Sequence, residues 1–133
     1  MSELFSATWM QQLQEKWNAS NEITEPLAKA GFTARIAYGF KGDDAPLGML
    51  VIENGVVTQA GAYDGGPLDW DLRATPDKWA GWIHDGFGLT KLGPAVATGA
   101  LQFATGNYRQ MIRNPSLANP FLLHFNLMQQ LGV

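Results

Sequence analysis

The sequence predicts an α+β fold, a five-stranded and mostly antiparallel sheet with helices packed on one face. Three observations carry this expectation. Between residues 32 and 74, short runs alternate apolar and polar side chains and are separated by turn residues, which is the period of strands. Apolar residues at helical spacing frame that block on both sides. One more strand-like run, Gly99 to Thr105, stands alone among helical segments. Strands grouped together and helices gathered around them are the mark of an α+β layer arrangement.

In chain order, residues 4–20 carry Leu4, Phe5, Trp9, Leu13 and Trp17, and the spacing of four from Phe5 onward marks one helix face. Asn18 to Asn21 break it, and a short second helix spans Ile23 to Ala30 with Gly31 as its stop. Phe32 to Phe40 alternates as a half-buried strand, and Leu47 to Glu53 is a more continuously apolar one. Asn54-Gly55 is the strongest short hairpin signal available, so Val56 to Tyr63 is expected to pair back. Leu68 to Ala74 alternates again after Asp64-Gly65-Gly66-Pro67, and the short loops predict that these four strands form an antiparallel meander. Thr75 then caps a helix with Pro76 in its first position and Asp77 against its dipole; it is expected to run to about Asp85. A short helix over Thr90 to Thr98 precedes the fifth strand, Gly99 to Thr105. Helices near Tyr108 to Ile112 and Asn119 to Leu131 close the chain, with breaks expected at Asn114-Pro115 and Asn119-Pro120.

Composition narrows the function. At 133 residues the chain reads as one domain, residues 1–133. Charged residues make up 16% against an average of about 25%, which leaves surface free for an apolar pocket or a partner interface. The net charge of −3 and the dispersed basic residues exclude a nucleic-acid backbone as partner and disfavour electrostatic docking to anionic membranes. Without cysteine there is no disulfide, thiolate nucleophile or Cys-ligated metal. Met1 to Phe5 lacks the features of a signal peptide, and no apolar run approaches the ~18 residues that span a bilayer, so a cytoplasmic protein is expected.

Several segments together resemble the sterol carrier protein type 2 family of small lipid-binding domains. They are the Trp-bearing first helix, the strand ending Ala37-Tyr38 and the Leu50-Val51-Ile52-Glu53-Asn54-Gly55-Val56-Val57 hairpin. Leu68-Asp69-Trp70-Asp71-Leu72 running into Thr75-Pro76-Asp77-Lys78-Trp79 follows, then Ala97-x-Gly99-x-Leu101 closed by Gly106-Asn107. The resemblance covers Phe5 to Leu131 and implies a five-stranded sheet with helices over one face, enclosing a hydrophobic tunnel. It also implies binding of fatty acids, acyl-CoA esters, sterols or similar apolar molecules without chemistry on them, and no cofactor. This sequence departs from the pattern in a fifth strand diluted by Ala100, Gln102 and Ala104, and in a long tail after Asn107.

The residues expected to meet the ligand follow from these segments. Trp82, Ile83 and Phe87 share a helix face with Trp79; such a face lines an apolar pocket or packs as core, and Trp79 suits plain core better. Leu101 and Phe103 on the fifth strand would face the helices. Phe121, Leu122, Phe125 and Met128 form a stripe on the last helix, which can be a lid, packing or a dimer contact. Asp69 and Asp71 lie on one strand face, roughly 7 Å apart, but alternate with apolar residues and read as water-facing, with Arg73 able to pair with Asp71. His84 and His124 make no zinc-ligand spacing; His124 reads as a polar member of the tail helix and His84 as a candidate for the edge of a pocket. Arg109 and Arg113, four apart, could receive a head group but read better as a solvated face.

The reading is therefore a carrier of an apolar ligand rather than an enzyme. Transient membrane contact and a homodimer are the other associations it admits. A dimerising or enzyme-associated module with a filled core is the alternative, and a small enzyme using Asp69, Asp71 or His84 ranks last.

Overall fold

The computed structural model describes residues 3–106 and 108–132, and the side chains of all of these except residues 89, 90, 108, 111, 112 and 115. Asn107, half of the Gly-Asn pair that closes the family-like pattern, lies outside the described residues. The elements run α1 (Ala7–Asn18), α2 (Asn21–Lys29), β1 (Ala34–Phe40), β2 (Gly48–Glu53), β3 (Val56–Ala62), β4 (Trp70–Ala74) and α3 (Pro76–Asp85). They continue with α4 (Leu89–Thr98), β5 (Gln102–Thr105), α5 (Tyr108–Arg113) and α6 (Pro115–Leu131).

Local signals explain most boundaries. Ser6 caps α1 by accepting the Trp9 N–H at 3.3 Å, so the helix starts at Ala7 and leaves Leu4 and Phe5 outside it. The Thr75 hydroxyl caps α3 by accepting from the Lys78 N–H. In the β2–β3 hairpin both Asn54 and Gly55 have positive φ, 49° and 87°, as a twist-matched two-residue turn requires. Only glycine fits at position 55, because a Cβ there would lie 2.6 Å from the Ala28 nitrogen on α2.

The sheet order is β3-β2-β1-β4-β5. This corrects the expected four-strand meander. β1, β2 and β3 do form one, but β4 crosses back and pairs with β1 in parallel, Ile36 beside Trp70 and Tyr38 beside Leu72. The connection from Tyr63 to Asp69 is too long to force a hairpin, and Arg35 of β1 holds it. The Arg35 guanidinium binds Asp64 at 2.6 Å, its N–H donates to the Asp69 carboxylate, and its carbonyl accepts the Asp69 N–H. β5 then pairs antiparallel to β4, so three of the four pairings are antiparallel.

Moving β4 inward changes what its residues meet. Asp71 does not face water; it is 6% exposed, and Arg73 clasps both of its carboxylate oxygens at 2.6 and 3.0 Å. Arg73 also donates to the carbonyls of Phe40 and Asp43, which ties down the loop after β1. Pro46 of that loop lies so near Gly39 that a Cβ on the glycine would come within 2.8 Å of it. Loops therefore cover this sheet face. The helices pack on the other, against Ile36, Tyr38, Leu50, Ile52 and Leu72.

The tail also differs from expectation. The expected break at Asn114-Pro115 is there, with Asn114 capping α6, but α6 begins at Pro115 rather than near Asn119, and Asn119-Pro120 does not interrupt it. Pro120 stands in the second turn, where its missing N–H costs a single helical bond, and its ring is buried.

Candidate functional site

Helix α1 presents Trp17 to the helix-covered sheet face, and its indole N–H donates to the Gly55 carbonyl at 2.9 Å, which fixes the ring. Leu27 of α2 and Phe32 lie beside it, Ile36 and Trp70 come from the paired strands β1 and β4, and α6 adds Leu117, Phe121 and His124. These eight residues enclose an apolar cavity of about 20 Å³. That is room for roughly one water molecule. Gly106 supports one wall, since a Cβ there would lie 2.6 Å from the Trp70 ring.

The nine residues expected to meet the ligand all belong to this core or pack against it. Five of them form a line of aromatic contacts. Trp82 stacks on Phe87 at 4.4 Å, Phe87 meets Phe125 edge-on at 4.7 Å, Phe125 meets Phe121 at 5.0 Å, and Phe121 leans on Phe103 at 6.2 Å. Phe103 in turn meets Trp70 of the cavity wall. Ile83, Leu101 and Met128 are buried within the core. Of the nine, Phe121 lines the cavity. Leu122 borders an open groove with Gly88, Asn119, Leu123 and Asn126.

The other seven lining residues were not singled out from sequence. Trp17, Phe32, Ile36 and Trp70 stood in apolar patterns of the sequence, Leu27 lay in the short second helix, Leu117 lay outside the expected elements, and His124, expected as a polar member of the tail helix, is on that helix but buried. His124 is 1% exposed and ringed by Trp17, Tyr38, Phe121 and Phe125. Its Nε2 lies 3.0 Å from the Tyr38 hydroxyl, and its Nδ1 is hydrogen-bonded to the Phe121 carbonyl. Burial pulls the His124 pKa down to about 4, partly opposed by the Phe121 carbonyl, so the ring is neutral at pH 7. Burial likewise pushes the Tyr38 phenol far above its usual range.

The remaining polar candidates lie elsewhere. His84 is exposed and paired with Asp85 at 2.8 Å, away from the cavity lining. Asp69 is exposed, while Asp71 is engaged by Arg73. Arg109 and Arg113 are exposed. Among the described residues no three His, Asp or Glu side chains are grouped as metal ligands, and no helix is long and apolar enough to cross a membrane.

Strand order and helix placement together can be compared with solved structures. The chain is similar to a crystal structure of sterol carrier protein 2, with a TM-score of 0.76 and 18% identity, covering 96% of this chain and 98% of that one.

The chain has the sterol-carrier fold.

A conserved Thermus thermophilus protein, provisionally named as a sterol carrier protein, is similar at a TM-score of 0.70 and 18% identity, covering 98% of this chain and 90% of that one. The UbiJ-SCP2 ubiquinone-synthesis protein is similar at 0.58 and 14%, covering 90% of each chain. No protein-family model and no curated protein matches the sequence. Within this sterol-carrier fold, the cavity offers a ligand seven apolar side chains and one neutral imidazole, with no charged group in its wall. Such a wall supplies burial and shape.

Proposed function

We propose that this protein binds and carries one apolar, lipid-class molecule in the cavity between α6 and the sheet, and does no chemistry on it. The observation that carries this reading is the composition of the cavity wall, apolar throughout except for His124. Ligand entry requires the cavity to widen, and α6 is the wall suited to move, because Leu117 and Phe121 on it are only half-buried. Each square ångström of apolar surface the ligand buries contributes about 25 cal/mol, which must offset the cost of opening and ordering the site. The aromatic line from Trp82 to Phe103 extends from the cavity, and a long ligand would follow it by displacing Phe121 and Phe125. On this reading all nine expected residues remain ligand contacts or their immediate support.

The small size of the cavity favours a second reading, a module with a filled core that associates through its surface. Its contact would be the groove that Leu122 and Leu123 border on α6. Native mass spectrometry of freshly purified protein, followed by denaturing extraction, separates the two. A co-purifying apolar molecule released on unfolding supports the carrier. A clean apo mass in a dimer would move the assignment to the association module.

A further inference from the structure

The eight side chains around the cavity fall into two groups by their contact with water. Trp17, Leu27, Ile36 and His124 are at most 4% exposed, whereas Phe32, Trp70, Leu117 and Phe121 are half-buried. The groups also occupy different places. Trp70 and Phe121 both touch Phe103 of the edge strand β5, at ring distances of 5.8 and 6.2 Å, and Leu117 precedes Phe121 by one helical turn. The rings of Trp17 and His124 meet each other at 5.8 Å. The cavity therefore has a closed end and a rim. The polar side-chain atoms at the closed end are already engaged. The Trp17 N–H donates to the Gly55 carbonyl, and the two ring nitrogens of His124 are bonded to the Tyr38 hydroxyl and the Phe121 carbonyl. Past His124 stand Phe125 and then Phe87, both buried.

We propose that this cavity takes an amphiphile with a polar group at one end only and binds it tail first, with the tail beside Trp17 and His124 and the head group left in water at the rim beside Trp70 and Phe121. The inference rests on the carrier reading above and narrows its ligand. A polar group carried to the closed end would lose its hydration and find each nearby partner already taken. That is penalised for a hydroxyl and far more for a carboxylate. At the rim the same group keeps its water. A tail longer than the cavity meets Phe125 and Phe87 next, so the path inward stays apolar. Selection therefore acts on the far end of the tail, which must be apolar, and only weakly on the head. A chain that is polar at both ends is turned away, because one of those ends must be buried.

The test compares three probes with the same acyl chain on the delipidated protein: palmitate, ω-hydroxypalmitate and palmitoyl lysophosphatidylcholine. Binding is read from tryptophan emission, since Trp17 is at the closed end and Trp70 at the rim. The ω-hydroxy acid is expected to bind about tenfold or more weakly than palmitate, the cost of a buried hydroxyl without a partner. The lysophospholipid should stay within about fivefold of palmitate, the range of exposed polar contacts. Orientation is read directly with brominated palmitates, because bromine quenches an indole it touches. Bromine next to the carboxylate should quench an emission component that Trp70→Phe removes, and bromine at the far end one that Trp70→Phe leaves. That substitution exchanges one aromatic ring for another at a half-buried site, and the comparison of probes on the unaltered protein needs no variant. Equal affinity for palmitate and its ω-hydroxy form, a lysophospholipid that fails where palmitate binds, or quenching in the reverse sense overturns the orientation and leaves the carrier standing. Binding of none of the three probes overturns both.

Discussion

The two ends of α6 are held in different ways. Its C-terminal half buries Phe125, Leu127 and Met128, and polar ties secure it. The Trp9 indole donates to the Gly132 carbonyl at 2.9 Å, Lys16 reaches Gln130, and the Gln129 amide donates to the His84 carbonyl. The N-terminal half instead presents Leu117, Phe121, Leu122 and Leu123, all half-buried, and it is this half that walls the cavity. Directional bonds fix a position, whereas apolar contacts of partly exposed side chains can slide and reform. The two halves therefore differ in what holds them, polar ties and buried side chains at the C-terminal half and partly exposed apolar contacts at the N-terminal half. His124 stands between the two halves, and its bond to Tyr38 is the latch nearest the cavity.

Substitutions can break or sharpen this contrast. The largest effect is expected at the anchored end. Trp9 is 1% exposed and sits on α1, so Trp9→Ala should cost about 3–5 kcal/mol in urea unfolding, typical of a buried Trp truncated to Ala. A loss below about 1 kcal/mol would show that the anchor is not one.

Next in size is the latch. The native pKa of His124, about 4, is depressed below the ordinary 6.5, so the unfolded chain binds the extra proton between those values. Stability should therefore fall as pH drops from about 6.5 toward 4, by up to roughly 3 kcal/mol from this group. Chemical denaturation across that range should show the fall, and His124→Gln should flatten it. An equally steep profile in the variant would assign the effect to other groups.

Phe121→Ala, at the N-terminal half of α6, should cost only about 1–2 kcal/mol because the ring is half-buried. It should also enlarge the cavity and raise the affinity for a long apolar probe, an outcome that Trp9→Ala should not share. The smallest effect is expected at Gln130, whose exposed tie to Lys16 should be worth less than about 0.5 kcal/mol by thermal or urea unfolding of Gln130→Ala.

Much of the fold was legible because its signals are local. The Asn54-Gly55 turn, the Thr75-Pro76-Asp77 helix start and the Gly31 stop each act within a few residues and appear where the pattern placed them. The position of β4 was not legible. Whether it pairs with β3 or β1 depends on Arg35 gripping the connection from a strand about thirty residues away, and alternation alone carries no information about the neighbour. The cavity inherits that uncertainty, since Ile36 and Trp70 share it only because their strands are adjacent. The aromatic stripes were readable as apolar faces, but which ring borders free space is a matter of close packing that no spacing encodes. His124 was hidden for a related reason. Its burial makes sense only with Tyr38, 86 residues earlier, as a partner.

The distance that α6 spans along the chain has a consequence for assembly. The bond between Trp9 and Gly132 joins residues 123 apart, while the β2–β3 hairpin closes over a two-residue turn. Loop closure on that scale is entropically unfavourable until the rest of the domain exists, so refolding should proceed from the hairpin outward, with α6 docking late. During that interval the helix-facing side of the sheet is an open greasy platform. A lipid present at that moment could be enclosed as the last helix closes, without any wall having to open again. Refolding with a fluorescent lipid added before or after dilution from urea would show whether early addition loads more of it.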